Sequence, residues 1–102
     1  MEIKEKTLTD YCKLNKYKQA EEPLKAWIYE IKYSTWDNAN KLKAKYRNAG
    51  IISSKQVVFN IKGNDYRLIV HVEYKLKIVF IVWFGTDKEY DKIDAKTVNY
   101  EN

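Results

Sequence analysis

Arg67, His71, Asp87 and Tyr90 are the side chains of this sequence best suited to moving a proton or holding a phosphate. Cutting a phosphodiester without a metal needs a base for the attacking hydroxyl, a cation for the phosphate and an acid for the leaving oxygen. A guanidinium carried on a strand supplies the cation from a rigid element and grips a phosphate through two parallel N–H groups. Arg67 suits that role, and equally suits a structural ion pair with Glu73 or with an acid on a helix. His71 lies four residues further on, on the same side of a strand, as a catalytic or a surface histidine. Asp87, Lys88, Tyr90 and Lys92 follow the last apolar run, where a helix start can project over a sheet or remain a solvated surface turn.

Other chemistries have little to work with. There is one histidine and one cysteine, Cys12, so the chain contains neither an internal disulfide nor the Cys/His set of a zinc cluster. A phosphate-binding P-loop, a dinucleotide-binding glycine run and a G-x-S-x-G elbow are all missing. The formal net charge of +5 favours polyanionic partners through phosphate neutralisation. Between Asn38 and Asn64 the charged residues are Lys41, Lys43, Lys45, Arg47, Lys55 and Lys62, with no Asp or Glu. This run is either a solvated lysine face or a nucleic-acid surface, and in the second case Lys41 and Lys45 are candidate RNA contacts. The nine Tyr and three Trp stack on bases or fill a core, and Trp27, Trp36, Tyr46 and Trp83 fall on expected packing positions.

The elements that must hold these groups follow from period. A length of 102 residues suits a single domain, expected to span 1–102 with a loose tail over about 96–102. The longest apolar stretch, Ile78–Phe84, is too short to span a bilayer, and Met1 opens no secretory leader, so a soluble, cytoplasmic protein is expected. A short strand is possible at Met1–Ile3, and Thr7 followed by Asp10 suits the start of a short helix with Leu8, Tyr11 and Cys12 on one face. Glu21, Glu22 and Pro23 open a second helix with an apolar stripe of Leu24, Trp27, Ile28 and Ile31. A third is expected from about Asp37 to Ala49, burying Ala39, Leu42, Tyr46 and Ala49.

From Gln56 onward the pattern becomes that of strands. Gly63-Asn64 suits a tight turn, which would set Lys62 opposite Asp65, Ile61 opposite Tyr66, Asn60 opposite Arg67 and Phe59 opposite Leu68. Alternation then puts Val57, Phe59, Ile61, Tyr66, Leu68, Val70, Val72 and Tyr74 on the core face. Val58, Asn60, Lys62, Arg67, Ile69, His71 and Glu73 go to the other face. A second hairpin around Lys75–Lys77 leads into Ile78–Phe84, apolar on both faces and so a covered strand. Thr86 or Asp87 caps a short last helix. The expected class is α+β, with N-terminal helices packed on one side of an antiparallel sheet.

Three strings in this order resemble a known family. They are VVFNIKGNDYRLIV over Val57–Val70, Gly85-Thr86, and EYDKIDA over Glu89–Ala95, with Pro23-Leu24-Lys25-Ala26-Trp27 and Trp36 upstream. Together they are similar to the HigB-type toxins of the RelE-like superfamily, over roughly Glu22 to Ala95. The resemblance implies a compact RelE-like fold, a ribosome-dependent messenger-RNA endonuclease that needs no cofactor, and a HigA-type helix-turn-helix antitoxin as partner. It implies Arg67 as the phosphate-binding arginine, Tyr90 as a base-stacking or proton-transfer residue, and Lys62, Lys88 and Lys92 as supporting cations beside Asn60. The family pattern reads Gly-Thr-His where this chain has Gly85-Thr86-Asp87, so proton transfer falls to Asp87 as base or to His71 or Tyr90. A catalytically weakened module that binds ribosomal RNA or its antitoxin is the alternative.

Overall fold

The computed structural model describes residues 1–4 and 15–94, so the helix expected near Thr7 and the tail over 96–102 lie outside the described residues. In chain order the elements are β1 (Glu2–Lys4), a 3-10 helix (Asn15–Ala20), α1 (Glu21–Lys32), α2 (Ala39–Lys45), β2 (Gly50–Ile51), β3 (Gln56–Ile61), β4 (Tyr66–Glu73), β5 (Ile78–Thr86) and α3 (Asp87–Tyr90). The strands form one sheet in the order β1-β5-β4-β3-β2. The class is α+β, consistent with a RelE-like fold. The run from β2 to β5 is antiparallel as expected, whereas β1 lies parallel to β5 and makes the sheet mixed. No hairpin joins β1 to its neighbour, so turn geometry does not dictate its direction. No helix among the described residues is long and apolar enough to cross a membrane.

The β3–β4 hairpin takes the register that its turn residues predict, pairing Phe59 with Leu68, Asn60 with Arg67 and Ile61 with Tyr66. The ladder stops there. Lys62 and Gly63 both have left-handed backbone, with φ of 54° and 65°, so the chain curls before Lys62 can pair with Asp65. The two instead close the turn, Asp65 N donating to Lys62 O at 3.2 Å.

The inner face of the sheet carries Val57, Phe59, Ile61, Leu68, Val70 and Val72, all at most 3% exposed. They pack with Leu24, Trp27 and Ile31 of α1 and Leu42 of α2. Edge-to-face aromatic contacts run from Trp27 to Phe59 (5.3 Å), on to Tyr46 (5.2 Å) and then to Trp36 (5.7 Å). On β5 the alternation breaks: Val70 pairs with Ile81 but Ile69 pairs with Trp83, leaving Val82 as an extra residue. Ile81 and Phe84 therefore both face the core. Trp83, expected at a packing position, stands on the outer face and is only half-buried, outside the core cluster.

α1 begins where acids and proline suggest, with Glu21 and Glu22 in its first turn. α2 is shorter than the expected Asp37–Ala49. It starts after Asn38, whose side chain accepts from Lys41 N at 3.0 Å, and ends at Lys45. Tyr46 leaves helical backbone, at φ −115° and ψ 79°, to reach Phe59 and Trp36. Ala49 still reaches the core, now through a loop held by Lys43 Nζ, which donates to the carbonyls of Arg47 and Ala49.

Asp37 ties the start of α2 to the β4–β5 turn, accepting from Lys77 Nζ at 2.8 Å and from Lys41 Nζ at 3.0 Å. The Lys77 hydrogen bond, then that of Lys41, pulls its pKa down to about 2. A carboxyl depressed in the folded state adds stability above its unfolded pKa, and that stability is lost as the pH falls through the folded value. Asp37→Asn is accordingly expected to lower the thermal midpoint near pH 6. The gap should close as the pH falls from about 4 toward 2. A gap that stays constant over this range would show that the ion pairs are not its cause.

Candidate functional site

Arg67 is the second residue of β4, flanked on the ladder by Asn60 of β3 and Gly85 of β5. Its Nη2 lies 2.8 Å from Asp87 Oδ1, and its Nη1 donates to the carbonyls of Asn64 (3.1 Å) and Tyr66 (3.4 Å). The guanidinium is thus paired with an acid on a helix and not with Glu73. Its side chain is 18% exposed and that of Asp87 45%. These contacts occupy three of the five N–H groups of the guanidinium, and the other two have no partner among the described residues.

Asp87 is held there by two local devices. Thr86 and Glu89 form a capping box: Glu89 N donates to Thr86 Oγ1 at 3.2 Å and Thr86 N to Glu89 Oε1 at 2.8 Å. Asp87 N then donates to Asp65 O at 3.0 Å, tying the start of α3 to the β3–β4 turn. Gly85 is needed for close approach, since a Cβ there would lie 2.6 Å from the Trp83 ring and 3.0 Å from Glu89 Oε1. The Trp83 ring in turn sits 6.1 Å from that of Tyr90, tilted by 53°, leaving two half-buried aromatics beside the ion pair.

An open cleft of about 480 Å³ adjoins the pair, lined by Gln19, Asn64, Asp65, Tyr66, Asp87 and Lys88 among others. Lys62 reaches its rim, Nζ donating to Gln19 Oε1 at 3.1 Å. The charge is mixed: Lys88, Lys62 and Arg67 stand against Asp65 and Asp87. Lys88 and Lys92 are exposed, with no ion-pair partner among the described residues.

The other candidate residues lie elsewhere. His71 shares the outer face with Arg67, four residues along β4 or about 13 Å away. Its Nε2 is 2.8 Å from Glu73 Oε1, and Glu73 also receives Lys55 Nζ at 2.9 Å. The His71 hydrogen bond, followed by that of Lys55, keeps the Glu73 carboxyl below its ordinary pKa. Lys41 is engaged with Asp37, and Lys45 donates to Ser34 Oγ at 2.8 Å with Glu30 at 4.0 Å. Tyr46 also bonds Glu30, at 2.9 Å, and burial raises its hydroxyl pKa.

Trp83, Gly85 and the Asp65 carbonyl were not singled out as site residues by sequence reasoning. The Gly85-Thr86 pair with Glu89 three residues on carried part of that signal, as a strand end followed by a capping box.

Residues 20–93 match the model of the HigB toxin family, described as the RelE-like toxic component of a toxin-antitoxin system. The matched segment includes Arg67, Asp87 and Tyr90. No curated protein matches the chain.

Gly85→Ala tests the packing that seats Asp87. The new methyl group must displace the Trp83 ring or the Glu89 carboxylate, which is expected to cost about 1–3 kcal/mol in urea unfolding. An unchanged midpoint would mean that the Trp83 ring shifts freely and does not brace the capping box.

Proposed function

Because the chain belongs to the HigB toxin family, the RelE-like toxic components of toxin-antitoxin systems, we propose that it is a messenger-RNA endonuclease acting on the ribosome in the cytoplasm. Membership of such a system implies an antitoxin partner. We take that partner to be a HigA-type helix-turn-helix protein. The observation that supports the catalytic reading is the 2.8 Å contact between Arg67 and Asp87, a guanidinium suited to a phosphate beside a carboxylate suited to accept a proton.

In this scheme the Arg67 guanidinium binds the non-bridging oxygens of the scissile phosphate and stabilises the charge that builds there. Asp87 accepts the proton of the ribose 2′-hydroxyl, whose oxygen attacks phosphorus. The 5′ oxygen departs on the opposite side and takes a proton from solvent, leaving a 2′,3′-cyclic phosphate. Tyr90, next to Trp83, offers an aromatic surface on which a neighbouring base stacks. Lys88, Lys92 and Lys62 add positive field around the strand. His71, bound to Glu73 and about 13 Å along β4, takes no part in this scheme.

The same contact favours a second reading, in which Asp87 neutralises Arg67 and the protein binds ribosomal RNA or antitoxin without cutting. Two variants separate them. Induced expression of the parent should arrest growth and fragment translated messages. Arg67→Ala should lower cleavage by about 10²–10³-fold with unchanged circular dichroism. Asp87→Asn should lower it by about 10²–10⁴-fold if Asp87 is the base. Faster cleavage by Asp87→Asn would make Asp87 a mask, and a parent that leaves every message intact would sink the nuclease proposal.

A further inference from the structure

On the far side of the β3–β4 turn from Asp87 lies a second cleft, of about 380 Å³, lined by Lys45, Tyr46, Arg47, Asn48, Asn60 and Gly63 among others. Among the described residues no acid lines it, unlike the cleft beside Asp87. Its wall is pre-shaped. Lys43 Nζ holds the loop after α2 through the carbonyls of Arg47 and Ala49, Ala49 N donates to Tyr46 O at 3.0 Å, and Tyr46 is fixed between Phe59 and Glu30. Arg47 is exposed, and its guanidinium has no partner among the described residues. Glu30, the nearest acid in these contacts, is already taken by Tyr46 and lies 4.0 Å from Lys45.

Asn60 joins the two clefts. It lines the second and is the ladder partner of Arg67, with the two Cα atoms about 5 Å apart across adjacent strands. Its amide offers both a donor and an acceptor, and among the described residues only one weak contact, to Asn64 Oδ1 at 3.4 Å, engages it. The apolar members Ala49 and Phe59 are 2% and 3% exposed, so the cleft has no open apolar hole for a peptide side chain. Cations at the rim, amides in the wall and no apolar anchor suit a nucleotide of single-stranded RNA better than a peptide.

We propose that this cleft is a second RNA subsite, in which Arg47 holds the phosphate of a nucleotide flanking the one at Arg67 while Asn48 and Asn60 bond its base or sugar. This rests on the RNA reading of the Arg67 site and extends it: the strand straddles the hairpin, with its register set by a contact outside the cutting centre.

The test is a backbone-amide NMR titration of the full chain with a 2′-O-methyl RNA trinucleotide, which cannot be cut by 2′-oxygen attack. Amides of Arg47, Asn48, Asn60 and Gly63 should shift together with those around Arg67 and Asp87. Arg47→Ala should remove the first set, weaken binding about tenfold and reduce the slope of log affinity against log salt by about 0.7. Shifts confined to the Arg67 side would overturn the subsite and leave the nuclease reading standing. Shifts confined to the Arg47 side would establish the subsite and remove the Arg67 reading. Absence of both at millimolar RNA would overturn both. Displacement of the Arg47 set by an acidic peptide but not by RNA would likewise overturn the subsite, in favour of a protein-binding cleft.

Discussion

A guanidinium at the end of a long run of single bonds has no place of its own, so the Arg67 charge sits where its partners hold it. Those partners come from two chain segments, the turn through the carbonyls of Asn64 and Tyr66 and α3 through Asp87. The segments meet in one backbone hydrogen bond, from Asp87 N to Asp65 O at 3.0 Å. Each side of that bond is prepared locally. Left-handed backbone at Lys62 and Gly63 curls the turn, and the Thr86–Glu89 capping box fixes the first residue of α3. Disturbing either segment would remove one jaw of the clamp without touching Arg67 itself.

The bulge at Val82 decides what surrounds the clamp. With strict alternation after Ile81, Trp83 would enter the core and Phe84 would stand outside. The extra residue exchanges them. Phe84 then stacks on Tyr66 at 5.5 Å under the turn, while Trp83 lies over Gly85 toward Tyr90. One inserted residue thereby supplies both the buried support for the hairpin end and the half-buried aromatic pair beside Arg67.

Much of this is legible in the sequence wherever the cause is local. Gly63-Asn64 and the alternation on both sides of it set the hairpin register, so the Asn60–Arg67 pair and the core faces of β3 and β4 can be read directly. The α1 stripe and the capping box at Thr86 are equally local. What cannot be read depends on contacts distant along the chain. The Arg67–Asp87 pair spans a strand, a turn and a bulge. The early end of α2 follows from the pull of Phe59 and Trp36 on Tyr46. The basic run also reads differently in three dimensions: Lys41, Lys43 and Lys45 are each occupied by α2's own surroundings, while Arg47, beside Lys45 in the lining of the second cleft, has a guanidinium with no partner among the described residues.

Whether a carboxylate at Arg67 blocks a phosphate or works alongside it is a matter of magnitude. The pair is partly open to water, with Asp87 nearly half exposed, and ion pairs in such settings contribute on the order of 1 kcal/mol or less. Giving up that contact therefore weakens phosphate binding by no more than about tenfold. The phosphate need not displace Asp87 at all, because two N–H groups of the guanidinium have no partner among the described residues. An arginine with donors to spare can hold two anions side by side, the arrangement that an attacking hydroxyl needs between its base and its phosphorus. An aspartate at position 87 is thus compatible with phosphate binding at Arg67 on energetic grounds. The mixed charge of that cleft weakens its attraction for a polyanion, whereas the lining of the cleft across the hairpin holds Lys45 and Arg47 and no acid among the described residues.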